Sequence, residues 1–447
     1  MSVPLTETTD GLNGDVPSDV LGVGFGPANL ALAIAVEEDD PELSVHFLEG
    51  RQDPLWQGGM MLDGSNIQNH PSRDLVTLRN PRSRYSFLNY LFEEKRLLEH
   101  LNVAAEFPLR KEYAQYINWA TQQFGDRVEL GERAVAVEVE EYRGEPVYAV
   151  TTDRGVRRTG RSLVLGPGRT PYVPEPFDAL TSPRVIHLTR YLYQLRSLTA
   201  APARIAVIGG SQSAVELTLD LSRRFPDARV VDLVRSFSLR LKDTSPFSEE
   251  GYFPAFTQYY YGTDRAGKRE LDAYMRATNY SSADDDVLKE LYLRIYEQRL
   301  DGDQKVFVQG NRQVVAAHDD GTEVALRIRE THTGEITEES FDLVVLATGF
   351  RDIGPQPHQE PYPPLLAGVI DRFRFDEDGY LLVNPDYSLV SDHPGTPPLF
   401  LNGLCESSHG IGDAGSFSLL SLRAEVISNG ARSRIGAALT APAVPVP

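Results

Sequence analysis

Two stretches of this chain each demand the same local structure: an apolar strand that enters a turn of small residues and leaves as a helix. The first is Asp19-Val-Leu-Gly-Val-Gly-Phe-Gly-Pro-Ala-Asn29 and the second is Ile205-Ala-Val-Ile-Gly-Gly-Ser-Gln-Ser-Ala-Val-Glu216. Small residues let the backbone approach a pyrophosphate, and the partial positive charge of the helix N-terminus attracts it. Two such units in one chain predict an α/β protein with two Rossmann-like dinucleotide-binding domains, in which electrons pass between two cofactors.

The acid that follows the first turn and the cation that follows the second make the two sites unequal. Ser44-Val-His-Phe-Leu-Glu49 reads as the second strand of a βαβ unit, and Glu49 falls roughly 20 residues past the turn, where a carboxylate accepts hydrogen bonds from a ribose. This predicts FAD at the first site. In the second unit Arg229-Val-Val-Asp-Leu-Val-Arg235 ends in an arginine, which would pair with a 2'-phosphate, so the second site is predicted to take NADPH.

The 447 residues allow two to three domains. The first unit is expected to be discontinuous, 19–200 plus 341–435, because Phe341-Asp-Leu-Val-Val-Leu-Ala-Thr-Gly-Phe350 reads as a buried strand that brings the chain back to the first sheet. Residues 201–340 would form the NADPH unit, with a substrate-binding segment near 240–285. His409-Gly-Ile-Gly-Asp413 precedes a helix expected over Ser418 to Ile427, whose N-terminus would point at the first cofactor, with Asp413 beside it. Residues 1–18 and 436–447 read as tails.

A formal net charge of -20 argues against nucleic acid or an anionic membrane as partner. The single cysteine, Cys405, excludes an intrachain disulfide or a redox pair of cysteines, which disfavours a disulfide reductase and reads as a cytoplasmic protein. No metal site is expected. The N-terminus lacks a basic start with an apolar core, and no apolar run approaches the ~20 residues of a membrane span.

Beyond the turns, the chain carries Trp56-Gln-Gly-Gly-Met60, Ile67-Gln68, Arg73-Asp-Leu-Val-Thr-Leu-Arg-Asn-Pro81, Tyr85-Ser-Phe87, Ser245-Pro-Phe247, Thr278-Asn-Tyr-Ser281, Ala347-Thr-Gly-Phe350 and His409-Gly410. In this order the set resembles the flavin-dependent N-hydroxylating monooxygenases, the group with the L-ornithine and L-lysine N-hydroxylases of siderophore synthesis. The resemblance implies a class B flavoprotein monooxygenase: NADPH reduces FAD, O2 adds to give a C4a-hydroperoxyflavin, and a neutral amine takes the distal oxygen. It assigns Gly22, Gly24, Gly26, Pro27, Asn29, Glu49, Trp56, Gln57, Gln68 and Asp413 to the flavin, and Gly209, Ser211, Gln212, Ser213 and Arg235 to NADPH. Ser211 stands where the family usually has glycine. Gln68 and Asn279 are the expected catalytic-site residues, and a dimer or tetramer is the implied assembly.

The resemblance loosens at the substrate. Arg73 takes the place of a lysine that holds the substrate carboxylate, Glu249 replaces an asparagine, and Asn279 is retained. Arginine still binds a carboxylate, bidentately, which keeps an amino-acid substrate. Arg240 and Lys242, just before Ser245, would supply a second anion site and so admit aspartate beside ornithine or lysine. Oxidation of a diamine, sulfur or ketone substrate, or flavin binding without catalysis, are the alternative functions.

Overall fold

Strand β1 (Ser18–Val23) is buried on both faces, which is what its unbroken apolar run requires of a central parallel strand. The computed structural model describes residues 16–53, 55–413 and 415–440. β1 pairs in parallel with β2 (Val45–Glu49), and β2 with β3 (Val128–Leu130). On its other side β1 pairs in parallel with β6 (Arg157–Leu165), which continues through β5 (Glu145–Thr152) to β4 (Ala134–Tyr142) as an antiparallel meander. The helix Pro27–Asp39 buries Leu30, Leu32, Ile34 and Val36, each contributing roughly 1.5–3 kcal/mol, and lies against the helix Leu420–Thr440.

The second sheet is parallel throughout. Its strands are β7 (Val185–His187), β8 (Arg204–Ile208), β9 (Arg229–Leu233), β10 (Val306–Gln309) and, after an antiparallel three-stranded sheet of β11 (Arg312–Asp319), β12 (Val324–Glu330) and β13 (Ile336–Phe341), β14 (Leu343–Leu346). Their spatial order is β10-β9-β8-β14-β7. β14 therefore corrects an expectation: the run from Phe341 does not return to the first sheet but aligns Leu343 with Ile205 and Val344 with Val185. Four buried apolar residues suit either sheet, and Asp342, whose carboxylate accepts from the Ala203 and Arg204 amides, fixes the choice. The return comes later, at β15 (Leu399–Leu401), which pairs with β6.

The ends also differ from expectation. Ser18 belongs to β1, and the C-terminal helix begins at Leu420 rather than Ser418 and extends to Thr440. The rest of the expected tails, 1–15 and 441–447, lies outside the described residues. The aromatic stretches after Tyr252 are helical, Pro254–Gly262 and Arg265–Asn279. No helix among the described residues is long and apolar enough to cross a membrane.

Candidate active site

The first glycine turn is shaped by close approach. Gly24 has φ +84°, and a Cβ there would lie 2.5 Å from the Gly166 carbonyl oxygen, so only glycine fits. A Cβ on Gly22 would enter the Phe47 ring. Gly26 is different: no atom stands within 4 Å of its Cβ position, and it caps the helix without any side-chain bond, followed by Pro27 at the first turn. The uncapped amides face open space that a Cβ would fill, the arrangement a phosphate group fits. Glu49 ends β2 beside this turn, with Oε2 accepting from the Phe25 amide at 2.8 Å and Oε1 from the Arg51 amide at 2.9 Å. Both bonds hold its carboxylate at the turn.

At the second turn, a Cβ on Gly209 would lie 2.6 Å from the Ala347 carbonyl oxygen. Ser211 is the N-cap of the helix Gln212–Arg224 and makes no side-chain cap bond, while the Gln212 amide donates to the Ser282 carbonyl at 2.9 Å and the Ala214 amide to the Ser211 carbonyl at 2.9 Å. Arg235, two residues past β9, is exposed, and its side chain has no hydrogen bond or ion pair among the described residues.

A cavity of about 200 Å³ opens between the two units. Its wall gathers Trp56, Gln57, Gln68 and Arg73 from the first unit with Gln212, Ser213, Glu249 and Asn279 from the second. Gln57 (φ 50°) and Gln68 (φ 54°) both hold left-handed backbone, which costs non-glycine residues of order 1 kcal/mol or more and concentrates at functional sites. Trp56 meets the Phe417 ring edge-on at 5.3 Å and Tyr113 at 6.1 Å, making one side of the cavity aromatic. Arg73 Nη1 donates to Glu249 Oε2 at 3.1 Å and to Ser418 Oγ at 3.2 Å. Burial raises the Tyr252 hydroxyl, which Glu249 reinforces, so it stays a protonated donor in the wall.

Behind the wall runs a polar network. Gln68 Nε2 donates to the Asp284 carboxylate, and the Asp284 amide donates to Gln212 Oε1 at 2.9 Å. Gln212 Nε2 reaches Glu216 at 3.0 Å, and Glu216 accepts from Arg110, whose Nη2 lies 3.0 Å from both carboxylate oxygens. Arg110 also donates to the Met60 carbonyl at 2.8 Å, so this buried pair ties the pyrophosphate-type helix of the second unit to the first.

The sequence profile of the family described as L-lysine 6-monooxygenase/L-ornithine 5-monooxygenase matches residues 17–352, three quarters of the chain. The chain belongs to the L-lysine 6-monooxygenase/L-ornithine 5-monooxygenase family. The L-ornithine N(5)-monooxygenase of Burkholderia cepacia is 36% identical over 406 residues, covering 88% of this chain and 89% of the relative. The ornithine hydroxylase PvdA of Pseudomonas aeruginosa superposes with a TM-score of 0.85 at 32% identity, over 94% of this chain and all of that one. The ornithine N-hydroxylase KtzI of Kutzneria sp. 744, solved with FADred, NADP+ and L-orn, gives 0.87 at 30% identity over 94% and 100%.

Three residues expected at ligands are engaged with the protein or lie outside the cavity wall. Asn29 is fully buried and its amide donates to the Val23 and Gly24 carbonyls while its oxygen accepts from Asn402. Asp413 is 2% exposed and bound to the Cys405 amide and to Arg423. Both are drawn into the protein because a buried polar side chain must find partners. Arg240 is exposed and outside the cavity wall, whereas Lys242 lines it. Sequence reasoning missed Arg110, Tyr252 and Gly415 to Phe417, none of which carries a motif, whereas Ser418 was expected only as a helix start. Asp284, first of three consecutive acids at a helix start, offered only a capping signal. His409 is buried, stacked on Tyr387 at 4.1 Å and pushed down to about 4 by burial, so it is a neutral structural residue.

Proposed function

We propose that this protein is an FAD- and NADPH-dependent monooxygenase that N-hydroxylates a primary amine of an amino acid, serving siderophore or other specialised metabolism. One observation carries the reading: a single cavity presents Gln212 and Ser213 of the second glycine turn, the aromatic and glutamine wall of the first unit, and the Arg73–Glu249 ion pair. FAD is assigned to the unit of β1, β2 and Glu49, and NADPH to that of β8, β9 and Arg235. The balance is amine, O2, NADPH and a proton giving hydroxylamine, NADP+ and water. The flavin supplies oxygen activation, by the resemblance through its C4a-hydroperoxide.

What the chain's own residues contribute is placement and dryness. Arg73 takes the substrate carboxylate, and Asn279 offers an amide in the same wall. Trp56, Phe417 and Tyr113 exclude water from that side, which protects a reactive oxygen adduct and favours a neutral amine. Gln68 is oriented by Asp284 rather than free to rotate.

A second reading, an acidic substrate such as aspartate, rests on Lys242. Among the described residues its ammonium makes no hydrogen bond and has Asp284 Oδ1 only at 3.8 Å, leaving donors free for an anion in the cavity. The test serves both readings. The purified protein is expected to be yellow, and its NADPH oxidation to depend on ornithine, lysine or aspartate with hydroxylamine formed. Absence of bound flavin, or hydrogen peroxide alone with every amine, overturns the proposal.

A further inference from the structure

We infer that residues 246–280, which lie in sequence between β9 and β10 of the second unit, belong mechanically to the first unit. This arm and the second sheet are separate bodies, and a shift of the sheet leaves the arm in place.

The contacts of the arm run to the first unit. In the helix Arg265–Asn279, Arg265 donates to Asp376 from Nη2 at 2.6 Å and from Nε at 3.0 Å. It also donates to the Ser407 carbonyl at 3.1 Å, and its guanidinium lies 3.7 Å from the centre of the Tyr380 ring. Lys268 donates to the Ser408 carbonyl at 3.3 Å, and Tyr261 of the preceding helix donates to the Val383 carbonyl at 2.9 Å. The Tyr280 hydroxyl donates to the Glu406 carboxylate, and Tyr252 and Met275 pack with Ile411. All these partners follow β14, where the chain has gone back to the first unit. Among the described residues, no side-chain hydrogen bond or ion pair joins 246–280 to the second sheet or to the helices Gln212–Arg224 and Asp285–Leu300, and no arm residue enters that unit's apolar clusters.

Two narrow strips of backbone connect the bodies. In one, where the chain crosses from the first unit to the second and back, the Tyr172 amide donates to the Gly349 carbonyl at 2.9 Å and the Arg351 amide to the Thr170 carbonyl at 2.8 Å. In the other, at the two ends of the arm, the Ala283 amide donates to the Arg240 carbonyl and the Lys242 amide to the Ala283 carbonyl, both at 2.9 Å. Positive φ marks both strips: Gly168 at +80° and Gly349 at +77° beside the first, Ser281 at +56° beside the second. A residue with a Cβ adopts that conformation only at a cost, and a few positions at the ends of elements are where backbones articulate. Met60 and Leu62 enter the second unit's core, and the Arg110–Glu216 and Gln68–Asp284 bonds span the divide, so the movement is a small turn on these contacts rather than a separation.

The consequence falls on the cavity. Glu249, Tyr252 and Asn279 ride on the arm and keep their places opposite Trp56 and Arg73, while Gln212 and Ser213 move with the second glycine turn. One wall of the cavity is thereby exchanged against a pocket that stays assembled.

Hydrogen–deuterium exchange of the flavin-loaded protein, read peptide by peptide, tests the allocation, with bound-flavin absorbance as the check on folding. Val230→Ala opens a cavity in the second unit's core, where Val230 is fully buried. It is expected to speed exchange in peptides from 204–233 and 285–309 at least about fivefold, and in peptides from 254–279 by no more than about twofold. Asp376→Ala, in the first unit, should do the reverse. If Val230→Ala sheds its flavin, Val230→Thr, which keeps the shape, takes its place. Equal changes in the two sets of peptides with either variant, nil included, or arm peptides that follow the second sheet, overturn the allocation.

Discussion

Replacing Arg423 by methionine should break the structure that holds the first glycine turn. Arg423 and Asp413 are each 2% exposed and pair at 2.9 Å, and Arg423 also donates to the Asp413 carbonyl at 2.6 Å and to Asn402 Oδ1 at 2.9 Å. Asn402 in turn donates to Asn29, and Asn29 to the Val23 and Gly24 carbonyls, so one buried chain of bonds links the C-terminal helix to the turn. Methionine fills much of the volume but leaves the Asp413 carboxylate buried with the Cys405 amide as its remaining donor. Removing one partner of such a pair costs about 3–5 kcal/mol, because the other charge loses its compensation without regaining water. The measurement is the urea midpoint of flavin release for Arg423→Met, Asp413→Asn and the double variant. Asp413→Asn with Arg423→Met should recover about 2 kcal/mol relative to the sum of the singles, since no uncompensated carboxylate remains. A single-variant loss under about 1 kcal/mol, or strict additivity, would refute the account of Asp413 as a buried structural anion.

Two further outcomes follow from groups at opposite ends of exposure. Arg235→Ser should raise the Michaelis constant for NADPH about tenfold while leaving that for NADH unchanged, because an exposed, otherwise unpartnered guanidinium would meet only the 2'-phosphate; equal effects on both nucleotides would remove that role. His409 lowers acid stability: its pKa falls from 6.5 to about 4 on burial, so below pH 6.5 the unfolded chain binds the proton first. Stability should decline by roughly 3 kcal/mol between pH 6.5 and 4 and level off beneath it, at about 1.4 kcal/mol per unit. Equilibrium unfolding of His409→Phe across that window should be correspondingly flatter, and identical slopes would discard the assignment.

Much of the fold could be read from contiguous residues. The turns at Gly24 and Gly209 are local problems of backbone clearance, and the solution is written in the residues that face it. Glu49 and Arg235, on which the expected order of the cofactors rests, are legible for the same reason, since each follows its turn closely along the chain. By contrast, Leu343–Leu346 has the composition of a buried strand and nothing in it names a sheet. Arg240 and Lys242 are two residues apart in one basic segment, yet only Lys242 reaches the cavity wall.

The sequence by itself therefore determined the two strand-turn-helix units, because short-range sterics act between neighbours along the chain. Tertiary structure alone decided that Arg73 faces Glu249, that Asp413 and Asn29 turn inward to one buried network, and that Arg110 ties the second unit's helix to the first. Those contacts join positions separated by up to 373 residues, and such distances are settled by the path of the whole backbone rather than by any local pattern of residue types.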